Sequence, residues 1–319
     1  MQIISNCTQE VIKNAAKAIN DGFLVAFPTE TVYGLGADAT HEMAVSRIYS
    51  VKGRPIGHPL IVHISSVKYI DKWAIDVPEY AVDLAKEFWP GPMTLVLKRS
   101  NLAKDFITGG QDNVGLRVPN HPVAIELLKE FEIQGGLGVA APSANKFSAV
   151  SPTSASAVEE EIGADLGIGD LILDGGRCSI GVESTILDCT QKYPIILRPG
   201  QVTHEEIEKC IGVKIDLRYS KSEIRVSGLL ESHYSPKAKV VLDVEANPGV
   251  GFIAMENIPT PQGAIRLGSP KTIQEYAFNI YAALRSGDKK KLTEIVVIQP
   301  SGGGLAVAIR ERLGKAAQK

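Results

Sequence analysis

Apolar runs too short for anything but sheet strands, each cut off by proline or glycine, alternate along this chain with stretches of helical period. Residues 23–27 (FLVAF) stop at Pro28, and similar runs follow at 59–64, 93–97, 137–141, 171–173, 185–187 and 195–197. Between them the apolar spacing predicts helices over 8–21, 42–49, 79–88, 123–131, 154–162 and 205–211. Several strands are joined by Gly/Pro turns instead of helices. That favours an α/β (α+β) fold with a twisted, open, mixed sheet over residues 1–215, not a purely parallel one. Over 216–238 the periodicity lapses into polar sequence, which reads as an interdomain linker. Further apolar runs at 239–244, 250–255 and 294–299 alternate with helical stretches at 272–286 and 305–317. This order predicts a small Rossmann-like C-terminal α/β domain over 239–319.

Charge narrows the function classes. Lys and Arg number 34 against 36 Asp and Glu, a net charge of −2. A protein whose whole surface grips nucleic acid is far more basic, so any anion site must be a local pocket. No apolar run reaches the ~18–20 residues that span a bilayer. The first 22 residues mix polar and apolar side chains, unlike a secretory leader. Four cysteines (Cys7, Cys178, Cys189, Cys210) form no C-x-x-C pair, which argues against a zinc ribbon and fits a reducing, cytoplasmic setting. A P-loop, a dinucleotide fingerprint and H-E-x-x-H are all missing. His58 and His63, five apart, make a poor chelate, and no metal-ligand set is expected.

One device recurs. Arg54 precedes Pro55, Arg117 lies two before Pro119, and Arg198 precedes Pro199. Proline ends each ladder just beyond the arginine, so the guanidinium groups emerge at strand or turn ends, where α/β folds place ligands. Taken singly, each is an ordinary surface ion pair. Together with Lys52 they would hold phosphates and a carboxylate. Small hydroxyls accompany them: Ser143 after one strand, with the Asn145 amide beside it, then Ser148, Ser151 and Thr153 before a helix, where Ser151 or Thr153 is placed to cap it. His63, within a strand, is by itself an ordinary core histidine. No nucleophile elbow occurs. The inventory is a cationic, hydroxyl-lined cleft without a covalent nucleophile, suited to phosphoryl or nucleotidyl transfer.

Seven blocks occur in order: PTETVYGLG (28–36), KGRPIGHPL (52–60), WPGPMTLVL (89–97), GLRVPNH (115–121), APSAN (141–145), GVESTILD (181–188) and LRPG (197–200). They resemble the YrdC-type domain of the L-threonylcarbamoyladenylate synthases. The His233-Tyr234-x-Pro236 motif and the tail at 304–317 (GLAVAIRERLGKAA) resemble the long, two-domain form. The linker departs from the family's Ser-Pro-Gly-Met, reading Ser227-Gly228-Leu229-Leu230. The resemblance implies synthesis of threonylcarbamoyl-AMP and pyrophosphate from L-threonine, bicarbonate and ATP. That is the first step in modifying the adenosine beside the anticodon of tRNAs that read ANN codons. It implies threonine binding by Thr31, His63, Arg117, Ala141 and Ser184. It implies ATP binding by Arg54, His58, Asn113, Ser143, Ser151, Arg198, His233 and Tyr234, with Lys52 and Arg54 stabilising charge. Mg2+ is expected to ride on the phosphates without a protein cage. The expected partners are the small substrates, the downstream tRNA threonylcarbamoyl transferase and weak RNA contact, with no membrane. Two rivals remain: a structured-RNA-binding module without catalysis, and a carbamoyl transferase of hydrogenase maturation, whose zinc-finger cysteines are missing here.

Overall fold

The computed structural model describes residues 2–215, 224–228 and 233–318, and the short apolar runs pair there into two sheets. The first holds β1 (Gln2–Ile4), β2 (Val25–Phe27), β3 (Gly34–Asp38), β4 (Ile61–His63), β5 (Met93–Lys98), β6 (Asn113–Arg117), β7 (Val139–Ala140), β8 (Leu171–Leu173), β9 (Thr185–Asp188) and β10 (Ile195–Arg198). Their order is β1-β8-β2-β3-β7-β4-β6-β5-β9-β10. Parallel pairs such as β4 with β6 and β5 with β9 sit beside antiparallel ones such as β5 with β6, so the sheet is mixed, as expected.

Alternation along β2 shows how so short a strand is anchored. Val25 and Phe27 join the core under helices Gln9–Asn20 and Pro122–Ile133, while Leu24 and Ala26 join the core on the opposite face. A strand buried on both faces carries no polar alternation, which is why it reads as a plain apolar run. Strand β3 (GLGAD) is not legible as one. Its glycines are a packing requirement: a Cβ on Gly36 would stand 2.8 Å from Phe27 and 2.9 Å from Val139.

The second sheet holds β11 (Lys239–Leu242), β12 (Gly251–Ile253), β13 (Ile265–Gly268) and β14 (Glu294–Val297), all parallel, in the order β11-β14-β12-β13. Helix Ile273–Lys289 links β13 to β14, and helix Leu305–Ala316 follows β14. The links from β11 to β12 and from β12 to β13 carry no helix, and β13 is a strand beyond those expected. The strand–helix alternation expected for a Rossmann-like unit is therefore present only in its second half.

The two layers share a core. Val32, Val150, Val182 and Tyr234 cluster with Tyr276, Ala277, Ile280 and Tyr281 of helix Ile273–Lys289. At the edge of this contact Arg285 pairs with Glu161 at 2.9 Å and Lys289 with Glu160 at 2.7 Å. Of the expected linker, 216–223 and 229–232 lie outside the described residues, Leu229 and Leu230 among them. Among the described residues no helix is long and apolar enough to cross a membrane.

Candidate functional site

Strand ends deliver the first group of side chains. His63 and Arg117 close β4 and β6 and are register partners across that parallel pair. Ala141 follows β7 and Ser184 precedes β9. Arg117 Nη2 donates to Thr31 Oγ1 at 2.9 Å and lies 2.8 Å from Glu30 Oε1. The other Glu30 oxygen accepts from the Asn120 backbone N–H at 3.0 Å. Thr29 Oγ1 donates to the Val32 carbonyl at 2.7 Å, so its 2.9 Å contact with Thr31 must be donated by Thr31. The guanidinium, Thr31 and Thr29 thus form a one-way relay of donors that fixes Arg117 in place. Burial, then the charge of Arg117, holds the His63 imidazole down to about 3. It is a neutral ring at physiological pH, with its Nδ1 unpaired among the described residues.

A second group is cationic. Lys52 ends helix Glu42–Lys52, and Gly53 in the left-handed conformation (φ 61°) turns the chain so that Arg54 meets the same cavity. Lys52 Nζ donates to the carbonyls of Ser143 at 2.5 Å and Asn145 at 2.6 Å. Arg54 Nη2 donates to the Pro59 carbonyl at 3.0 Å and Ser227 Oγ at 3.2 Å. Arg198, the last residue of β10, donates to Ser184 O and Oγ and to Ser227 O. All three cations are buried, and among the described residues their partners are only carbonyls and hydroxyls, never a carboxylate. Burial, then the neighbouring Arg54 charge, drives the Lys52 ammonium well below its ordinary value. Arg54 itself is pushed down to about 10, chiefly by burial. A buried cation without a counter-ion is costly, and the cost falls when an anion arrives.

Four described residues beyond 226 complete the cavity wall. Ser227, Gly228, His233 and Tyr234 line it opposite Lys52 and Arg54. Tyr234 holds a left-handed backbone (φ 62°), a conformation an aromatic residue adopts only under constraint, and its buried hydroxyl has no partner among the described residues. A Cβ on Gly228 would stand 2.5 Å from that hydroxyl. The His233 ring lies 4.1 Å from Tyr234, and burial lowers it to about 3. With these residues in place the cavity offers only about 50 Å³. Pockets that hold nucleotide-sized ligands run to roughly 300–1,000 Å³.

Most of the expected site residues meet here, and some do not. Lys52, Arg54, His63, Arg117, Ala141, Ser143, Ser184, Arg198, His233 and Tyr234 all line the cavity. Thr31 stands behind Arg117, and His58 lies outside, its ring 5.5 Å from Phe147. Asn113 opens β6, about 13 Å along the strand from Arg117. It lines a smaller neighbouring cavity that shares Ile61 and Ser227 with the main one. It also borders an open groove of about 1090 Å³ whose Arg99 is already paired with Asp105 and Asp112. Ser151 neither caps a helix nor reaches the cavity wall. The cap of helix Ala155–Ile162 is Ser154, and the buried Ser151 hydroxyl donates to Glu183 Oε1 at 2.5 Å. The sequence also gave no sign that Glu30 and Glu183 would be buried carboxylates, because their partners lie far along the chain. Among the described residues no group of three His, Cys, Asp or Glu could hold a metal ion.

Known proteins share this fold and much of this sequence. A family model described as "Telomere recombination", covering Sua5, YciO and YrdC proteins, matches residues 17–200. The model of the threonylcarbamoyl-AMP synthase C-terminal domain matches residues 202–318. The threonylcarbamoyl-AMP synthase of Pyrococcus abyssi is 40% identical over 99% of this chain and 98% of its own. That of Bacillus subtilis is 37% identical over 96% and 92%. The crystal structure of P. abyssi Sua5 complexed with L-threonine superposes with a TM-score of 0.90 at 38% identity, covering 99% of this chain and 98% of that one.

Proposed function

The chain belongs to the threonylcarbamoyl-AMP synthase family, and from that premise we propose how its pocket joins L-threonine, bicarbonate and ATP into threonylcarbamoyl-AMP and pyrophosphate. The observation that carries the reading is the set of three buried cations, Lys52, Arg54 and Arg198, without carboxylate partners among the described residues, in one cavity with an arginine already braced by Thr31 and Glu30. In this reading Arg117 takes the threonine carboxylate in a two-bond fork, with Ala141 and Ser184 beside it. The threonine ammonium first gives up a proton, and the free amine then bonds to the carbon of bicarbonate, giving the carbamate and water. A carbamate oxygen then forms a bond to the α-phosphorus of ATP, and pyrophosphate leaves with the electron pair of the broken P–O bond. No enzyme nucleophile takes part. Arg54, Arg198 and Lys52 neutralise charge as it shifts onto the departing pyrophosphate, and this preorganised stabilisation is the chain's main contribution. ATP arrives as its magnesium complex, the ion belonging to the substrate.

At about 50 Å³ the cavity cannot take this load, so Ser227, Gly228, His233 and Tyr234 have to withdraw for ATP and return over it. Returned, they keep water from the mixed anhydride. The product would pass to a tRNA-modifying transferase in the cytoplasm. Full-length protein mixed with ATP, threonine and bicarbonate tests the assignment. Pyrophosphate release that requires all three is the expected result. No release under any substrate combination, with magnesium present, would overturn it.

A further inference from the structure

One carboxylate on the cavity wall is held from the second sheet's layer. Glu183, 6% exposed, accepts from Ser151 at Oε1 and, at Oε2, from Tyr281 Oη at 2.8 Å and Arg312 Nε at 2.9 Å. Tyr281 belongs to helix Ile273–Lys289 and Arg312, 1% exposed, to helix Leu305–Ala316. The Arg312 guanidinium also sits 5.3 Å from the centre of the Tyr234 ring, which stacks on Tyr281 at 5.7 Å. One turn further along the same helix, Lys315 donates to the Gly228 carbonyl.

Building on the synthase reading, we propose that Arg312 is a positioning residue for the nucleotide end of the pocket, acting by neutralising Glu183 so that Arg198 keeps its Ser184 and Ser227 contacts and faces the ligand. The argument rests on charge neighbours. Glu183 has two nearby guanidinium groups, Arg312 in direct contact and Arg198 further off. Burial alone would raise the Glu183 carboxyl, and the two cations, Arg312 foremost, hold it down at about 2. If Arg312 is removed, Arg198 becomes the nearest counter-charge to a buried carboxylate. Arg198 would then turn from its Ser184 and Ser227 contacts toward Glu183, and its charge would be lost to the phosphates. Arg117 itself, braced by Glu30 and Thr31, makes no contact with Glu183 or Arg312 among the described residues.

The test is steady-state pyrophosphate formation by the full chain. Arg312→Leu should raise KM for ATP at least tenfold while KM for threonine stays within twofold. Arg312→Lys keeps a charge but lacks the planar fork that serves Glu183 from Nε and Glu311 from Nη1, and should raise it two- to fivefold. Combining Arg312→Leu with Glu183→Gln removes the stranded charge and should recover at least a third of the lost ATP affinity. An unchanged ATP KM in Arg312→Leu, an equal rise for both substrates, or no recovery in the double variant overturns the proposal. If melting curves show Arg312→Leu unfolded, the Lys variant and the double variant decide by the same criteria. Calorimetric binding of a non-hydrolysable ATP analogue gives the same comparison in protein that makes no pyrophosphate. A failed synthase assignment and a failed role for Arg312 are thereby told apart.

Discussion

The two ends of the pocket are built by different means. At the Arg117 end the framework is strand termini in register, with His63 beside Arg117 and the braces Thr31 and Glu30 supplied by the loop after β2. At the Arg54–Arg198 end the wall is assembled from a helix terminus, a strand terminus, the segment around Ser227 and Tyr234, and two helices of the second layer. The first end is complete without the residues after 200. The second depends on them. In the proposed reaction the socket of strand termini would hold the small substrate and the assembled wall the large one.

Three measurements break or sharpen this contrast. The largest effect belongs to the assembled end. Arg54→Ala should lower kcat/KM for ATP by about a thousandfold (~4 kcal/mol), with threonine KM little changed. Steady-state kinetics with each substrate varied checks this, and an effect confined to threonine would reverse the two ends. At the strand-built end, Arg117→Lys preserves the charge facing Glu30 but removes the fork, and should raise threonine KM about thirtyfold (~2 kcal/mol) with ATP KM unchanged. Equal losses for both substrates would show that the ends are not separable. The smallest effect spans both. His63 and His233, one at each end, are both lowered to about 3. Between that value and the ~6.5 of an unfolded histidine, the unfolded chain binds more protons. Their contribution is therefore fully present above pH 6.5 and is lost as the pH falls toward 3. Stability should drop by roughly 1.4 kcal/mol from pH 7 to pH 6 and faster below. Denaturant melts across this range measure it, and a flat profile would mean that neither ring is buried neutral.

Much of the strand-built end was legible in the sequence, because the signal is local. Arginine one or two residues before a proline at the end of an apolar run marks Arg117 correctly as the last residue of β6, and the same signal marks Arg198 of the other end as the last of β10. Strand β3 escaped notice because glycines chosen for close approach to Phe27 and Val139 carry no hydrophobic period. The assembled end was less legible for a different reason. Glu183 meets Arg312 across 129 positions, and no local pattern distinguishes that buried pair from an exposed one. Ser151 shows the same limit. Its position before a helix suggested a cap, yet its proton goes to Glu183 and Ser154 does the capping.

That shared carboxylate has a consequence for how the molecule can be recombined. Residues 98 and 129 positions downstream complete its hydrogen bonds, in a part of the chain that otherwise looks like a separate module. Grafting the first two hundred residues onto the tail of a relative therefore transplants a lock without its key unless positions 183, 281 and 312 are inherited as a set. Overall likeness of the two tails would be a poor guide to which hybrids work, and three side chains a good one.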